Sequence, residues 1–296
     1  MKLYSDIKTG KAVIINSIKK FGYLPEHNYY HHLYMENKNY RALFFSFSKN
    51  AGVIGGIKGN VWYFTTEVLA PKNERTELFC KALDYALKKE KAKKVVVEAG
   101  EGFRKEILAK LSSKYKIVSL NYSLYWPIYN LVSQGLKGKK WKKLRNLRNG
   151  FYKNYKIEVK DAKSINKKYL SSILSLWVKR RAFNDRVDTN YYKNIIGNKF
   201  KGFGMANSIL LNGVPCCISA GWKIPNSSSF YWAIGIHNYS HKNLGDFANL
   251  QDIIAAKNKG HSFVDLGGSL KNLLYSKMKL KPEKIYKTYV FSIKAQ

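Results

Sequence analysis

The sequence predicts an α/β (α+β) chain built from two similar halves, each a mixed β-sheet flanked by helices. An internal repeat is the first sign. Laid over each other, Lys93-Lys94-Val95-Val96-Val97-Glu98-Ala99-Gly100 and Gly260-His261-Ser262-Phe263-Val264-Asp265-Leu266-Gly267 both read as a buried strand ending in a carboxylate and a glycine. The register also extends upstream, where Leu83, Ala86 and Leu87 fall on Leu250, Ile253 and Ile254 at helical spacing. Downstream, each glycine is followed by a helix and then an aromatic strand, 119–128 in one copy and 286–293 in the other.

In the first half, Gly52, Gly55 and Gly56 read as turn and bulge positions between strands. Tyr122-Ser123-Leu124-Tyr125-Trp126-Pro127-Ile128-Tyr129 reads as a strand closing the first sheet, with Pro127 confining it to an edge or a bulge. Its rings suit either packing against helices or base stacking. In the second half a helix over 168–181 ends at Arg180 and Arg181, near Trp177 and Asp185. Such arginines suit bidentate capture of a carboxylate or phosphate, or simply the negative end of the helix dipole. A strand over 230–236 then runs into His241-Lys242-Asn243-Leu244-Gly245-Asp246 and a helix over 248–256. A basic turn whose glycine opens a helix leaves backbone N–H groups pointing outward, so His241, Lys242, Asn243, Leu244 and Gly245 are the candidate donor-binding residues. The same residues also read as an ordinary connection. The first half has Leu69-Ala70-Pro71-Lys72 at that place, and proline removes an N–H the cradle would use, which assigns the donor site to the second half.

Charge narrows the partners. The chain of 296 residues carries 53 Lys and Arg against 19 Asp and Glu, a net charge of +34, which speeds encounter with polyanions and gives salt-dependent binding. Nucleic acid or an anionic membrane surface is expected as a partner. The densest patch lies over 137–156, where Lys139, Lys140, Lys142, Lys143, Arg145 and Arg148 occur with no acid among them. Trp141, Leu144, Leu147, Phe151 and Tyr155 make an apolar stripe at helical spacing there. These six cations, with Arg180, are the candidate nucleic-acid contacts; a solvated surface helix is the plainer reading of the same pattern. Hydrophobic residues at 45% and aromatics at 15% exclude wholesale disorder. No apolar run reaches the roughly 20 residues of a membrane span, no signal-peptide pattern opens the chain, and Cys80, Cys216 and Cys217 lack disulfide or metal spacing, so a cytoplasmic location is expected. Glu26-His27-Asn28-Tyr29-Tyr30-His31-His32 brings three histidines together without a cysteine or second carboxylate at ligand spacing, and no metal site is assigned.

The order strand, Lys-x-x-Gly turn, helix, strand, helix, strand, seen at Lys242 and Gly245, resembles the GNAT acyltransferase fold, although Phe247 stands where the coenzyme A turn has a small residue. The duplication, with Asp265-Leu266-Gly267, Leu274-Tyr275-Ser276-Lys277 and the basic joint, resembles the tandem GNAT architecture of the Fem-type peptidyltransferases and of the phosphatidylglycerol lysyltransferase catalytic domain. That resemblance implies GNAT-like domains over 1–134 and 156–296, joined by a basic helix over 135–155. It also implies an acyltransferase whose co-substrate is aminoacyl-tRNA or acyl-CoA. Lys277 is then the candidate for charge stabilisation at the carbonyl or departing oxygen, and Asp265 the candidate base or amine anchor, unless it only caps the next helix. An acyl-CoA-dependent N-acetyltransferase and a non-catalytic nucleic-acid-binding protein on the same scaffold are the alternatives.

Overall fold

The computed structural model describes residues 1–111, 115–132, 136–181 and 187–296. Asp185, and residues 133–135 where the first half was expected to end, lie outside the described residues. The first half supplies β1 (Lys2–Tyr4), β2 (Arg41–Ser46), β3 (Gly52–Lys58), β4 (Val61–Phe64) and β5 (Lys94–Gly100), followed by the long β6 (Tyr115–Asn130). The second supplies β7 (Ile157–Asp161), β8 (Met205–Leu211), β9 (Val214–Lys223), β10 (Ser229–His237), β11 (Phe263–Asp265) and β12 (Lys284–Ala295). Among the described residues these twelve strands form one sheet in the order β1-β2-β3-β4-β5-β12-β6-β11-β10-β9-β8-β7. The two mixed sheets are thus joined edge to edge by an exchange: β12 lies between β5 and β6, and β6 lies between β12 and β11.

The registers carry the internal repeat into three dimensions. Glu98 pairs with Val290 on β12, and Asp265 pairs with Ile128 on β6. Across the central pair, Val290 meets Tyr122 and Lys284 meets Ile128, so the two carboxylates hold corresponding positions about Tyr125 and Lys287. Parallel pairing recurs as well, β4 with β5 and β10 with β11.

Helices cover both faces because the strands present apolar residues on both. On one face α1 (Lys11–Phe21) and α2 (Tyr29–Met35) cover Ala42, Phe44 and Ile54, while α6 (Lys167–Arg180) and α7 (Thr189–Gly197) cover Ala206, Ile218, Ala220 and Trp222. The opposite face carries α3 (Arg75–Asp84) and α4 (Glu101–Lys110) over the first half. Over the second half it carries α5 (Lys142–Asn154), α8 (Leu244–Asn258) and, beside them, α9 (Lys271–Met278).

Two sequence expectations need correction. Gly52, Gly55 and Gly56 are inside β3, not between strands; a Cβ at these positions would lie within 3 Å of Phe44, Phe64 or Tyr40, so glycine makes room for aromatic rings of the neighbouring strands. Pro127 lies on the central strand β6 rather than on an edge. It is tolerated there because of what faces it. Leu131 N–H donates to Ser262 O across the β6–β11 ladder. By the two-residue alternation of that ladder, the donor missing at Pro127 would have served the carbonyl of Leu266.

Candidate functional site

The ladder gap opposite Pro127 is where the site forms. β10 and β11 pair only from Ser229–Phe263 to Tyr231–Asp265 and then part, while the next contact of β6 is Tyr125 with Ser269. Between those points Leu266, Gly267 and Gly268 leave the ladder, with Gly267 at φ +85°, a conformation that costs glycine little. The carbonyls that lose their strand partner are taken by an ammonium: Lys277 Nζ donates to Leu266 O at 2.6 Å and to Gly267 O at 2.7 Å. On the facing strand, the β10 register against β9 shifts between Trp232 and Ile234, a bulge at the same level.

A cavity of about 350 Å³ passes through this splay. Lys277, Gly267 and Gly268 form one wall, and Asn249 and Asp252 close the α8 side. Glu26, Glu98 and Trp126 lie on the other. A smaller chamber of about 100 Å³ continues from it, sharing Glu26, Glu98 and Trp126 and reaching Glu67, Tyr286 and Thr288.

The groups inside are mostly acidic, and burial holds them toward their neutral forms. Asp252 is 3% exposed and accepts from Ser219 Oγ at 2.6 Å; burial pushes its carboxyl up to about 7. Asp265, 1% exposed, accepts from Gly267 N–H at 2.7 Å and from the Tyr286 hydroxyl at 3.1 Å. Burial raises it to about 6 against these hydrogen bonds and the charge of Lys277. Burial raises Glu98 too, opposed by the hydrogen bond from Thr288 Oγ1 at 2.7 Å, and Thr288 in turn accepts from Trp126 Nε1 at 2.9 Å. Glu26 is raised well above the carboxylate range, first by burial and then by the charges of Glu98 and Asp265. Among the described residues no basic side chain pairs with Glu26. Lys277 is the cation of this wall, and burial lowers it to about 8 although Asp265 pulls the other way.

The histidine-rich segment holds Glu26 in place. His27 Nδ1 accepts the N–H groups of Tyr23 and Leu24, which leaves Nε2 to donate to Glu67 O. His32 Nε2 donates to Glu26 O at 3.0 Å. Both rings are held neutral by burial, lowered to about 3 and about 4. Among the described residues no group of His, Cys, Asp and Glu could hold a metal ion.

The candidate residues from sequence are distributed unevenly. Lys277 is on the cavity wall, whereas Asp265 sits behind it, tied to Gly267, Tyr286 and the charge of Lys277. In the donor turn, Lys242 and Asn243 are exposed, Leu244 is buried in the core, and His241 contacts the Tyr155 hydroxyl at 3.2 Å. A Cβ on Gly245 would meet the His237 ring at 2.6 Å, so this glycine makes room for His237, and Phe247 stacks on Phe151 at 4.3 Å. Gly245 and Phe247 are therefore used for packing within the protein, and Lys242 and Asn243 are the exposed residues of the turn. Of the basic set, Lys139, Lys140, Lys142, Lys143 and Arg148 are exposed on or just before α5, while Arg145 is engaged, its Nη1 donating to Leu136 O and Gly138 O at 2.7 Å each. Arg180 lies at the end of α6, on the opposite face of the sheet. Sequence reasoning missed Glu26 and Asp252. For Asp252 a signal was present, an acid on the apolar stripe of a helix; Glu26 has none, since its neighbours in space are far away in the chain.

No protein-family model matches this sequence, and no curated protein matches it either. Solved structures do. A conserved protein of unknown function from Bacteroides thetaiotaomicron VPI-5482 aligns with a TM-score of 0.73 at 16% identity, over 99% of this chain and 100% of that one. The L-PGS of Bacillus licheniformis aligns at 0.70 and 15% identity, over 97% and 91%. FemX aligns at 0.56 and 11%, over 98% and 97%. The tandem GNAT-like fold expected from the sequence, shared with FemX, a tandem GNAT protein of clavulanic acid biosynthesis and a putative lysylphosphatidylglycerol synthetase C-terminal domain, is the fold of this chain.

Proposed function

We propose that this protein transfers an aminoacyl group from aminoacyl-tRNA to an amine or hydroxyl acceptor. The observation that carries this reading is the contrast between outside and inside: a chain of +34 encloses a cavity walled by the buried carboxyls Glu26, Glu98 and Asp252. A basic exterior attracts a polyanion, and buried carboxyls held toward their neutral forms regain their charge when an ammonium arrives beside them. Aminoacyl-tRNA is a polyanion whose reactive end bears an ammonium, whereas acetyl-CoA carries no cation. The L-PGS and FemX folds support an aminoacyl transferase over other acyltransferases.

In this reaction the acceptor nitrogen or oxygen attacks the ester carbonyl carbon. The bond from that carbon to the ribose oxygen breaks, and one proton passes from acceptor to ribose. Two protons of Lys277 Nζ are used by Leu266 O and Gly267 O, leaving the third for the negative charge that grows on the carbonyl or ribose oxygen. Asp265 favours the charged form of Lys277. Asp252, on the wall and raised to about 7, takes the acceptor proton. The test is transfer from labelled aminoacyl-tRNA and from acyl-CoA to a panel of amines and lipid extracts. Transfer from aminoacyl-tRNA alone is expected; transfer only from acyl-CoA would replace this reading with the N-acetyltransferase one, and none from either would favour the binding protein.

A further inference from the structure

Beside the cavity, on the far side of α9, lies a second groove of about 540 Å³ that the chemistry above does not use. Its walls come from three elements distant in sequence: Lys139, Lys140 and Lys143 at the start of α5, Asn243 and Asp246 at the start of α8, and Tyr275 and Met278 on α9, with Lys279 and Lys281 just after it. Asp246 is answered by Lys279 at 2.7 Å. Lys139, Lys140, Lys143 and Lys281 have no carboxylate partner among the described residues. Four ammonium groups sharing one groove repel one another unless an anion joins them.

The second observation is Tyr275. It is 78% exposed, so packing does not explain an aromatic ring there. A flat, exposed ring among unpaired lysines is the chemistry that holds a nucleotide, with phosphates on the ammonium groups and the base on the ring. The floor, Leu144 and Leu147, belongs to the core and offers no deep slot for an acyl chain. Lysines and arginines also continue along α5 beyond the groove at Lys142 and Arg148, which suits a phosphodiester chain better than one small molecule.

We infer that this groove seats the single-stranded end of the donor just ahead of its terminal nucleotide, with phosphates on Lys139, Lys140, Lys143 and Lys281 and a base stacked on Tyr275. The inference rests on the reading that the donor is carried by a nucleotide. It adds where that strand runs: Tyr275 lines the groove while Lys277, two residues on, lines the cavity, so the strand passes along α9 and its terminal ribose, which bears the ester, reaches the cavity. An unpaired 3′ end of RNA and the adenosine diphosphate end of coenzyme A share this chemistry, and the experiment separates them.

Equilibrium binding is measured for wild type, Tyr275→Ala and Tyr275→Phe, with matched thermal melts to verify folding. The probes are an RNA minihelix ending in four unpaired nucleotides, the same minihelix blunted, coenzyme A, and vesicles of phosphatidylglycerol. Tyr275→Ala should weaken the tailed minihelix about 5- to 150-fold, the range of one lost base stack. Tyr275→Phe should keep wild-type affinity, and the blunt minihelix should not respond to either change. Should coenzyme A alone bind in a Tyr275-dependent way, the groove stands and the tRNA donor reading falls. Equal affinity of Tyr275→Ala and wild type for both nucleotide probes, no binding of either probe to wild type, or a loss confined to vesicles would each overturn the groove assignment.

Discussion

The two halves of this chain share a register and differ in what they do with it. At corresponding strand ends, Glu98 and Asp265 are each followed two residues later by a glycine, yet the surroundings have diverged. In the first half the Gly100 N–H donates to Glu67 at 3.1 Å, Glu67 also accepts from the Tyr23 hydroxyl, and Arg75 lies 3.9 Å over the Tyr23 ring. Side chains of the protein itself fill that cleft, leaving about 100 Å³. In the second half Asp265 takes the Gly267 N–H itself, Lys277 satisfies the freed carbonyls, and about 350 Å³ stays open. The sheet needs both halves, because β6 and β12 are shared, but only one of the two splays is open.

The comparison breaks most readily at Lys277. Lys277→Met should lower turnover with aminoacyl-tRNA by about 10²–10³, the scale of one lost oxyanion donor. Because Leu266 O and Gly267 O lose their donor, it should also cost about 1–3 kcal/mol of stability, read from denaturant melts. Glu67→Ala in the closed half should cost a similar 1–3 kcal/mol by orphaning the Gly100 N–H, with turnover near wild type. If instead Glu67→Ala abolished turnover with the fold intact, the first half would hold chemistry of its own.

Glu26→Gln sharpens the contrast in the opposite direction. Burial raises Glu26, Glu98, Asp252 and Asp265, so each binds its proton more tightly folded than unfolded. Their contribution to stability is present at low pH and is lost as pH rises through the folded values, about 6 for Asp265 and about 7 for Asp252. Removing the unpaired carboxylate should therefore raise stability at pH 8 by about 0.5–2 kcal/mol while weakening donor binding, a trade expected of a functional site. No gain in melting temperature at pH 8 would mean that Glu26 has a partner of its own. The smallest effect is on the surface. Reversing Lys142, Lys143 and Arg148 should reduce the salt slope of tRNA binding by roughly one unit per lost contact, whereas changing Arg145 should act through the 136–138 loop it braces.

Much of the fold was legible because strand and helix periods are local. The repeat, the strand over 230–236, the basic helix with its apolar stripe at Trp141, Leu144 and Phe151, and the helix bearing Lys277 all follow from spacing, and all are present. The exchange of β6 and β12 was not legible, since pairing partners more than a hundred residues apart leave no mark on either strand. Pro127 misled for a related reason: proline signals a missing ladder bond, and an edge is only one way to lose it; a lysine reaching across the gap is another. Lys277 entered as a candidate through resemblance, and its place on the cavity wall adds to it. Glu26 was hidden in a segment that drew attention to its histidines, whose buried rings turn out to hold the loop that aims the carboxylate.

The most direct test of the open, acid-lined cavity as the reaction site is the pH profile of single-turnover transfer from aminoacyl-tRNA, wild type against Lys277→Met. Asp252 must be deprotonated to take a proton and Lys277 protonated to stabilise charge, so wild-type rates should rise through about pH 7 and fall through about pH 8. Lys277→Met should be slower throughout and should lose the alkaline limb while keeping the acidic one. A variant that keeps both full rate and the fall above pH 8 would contradict the account.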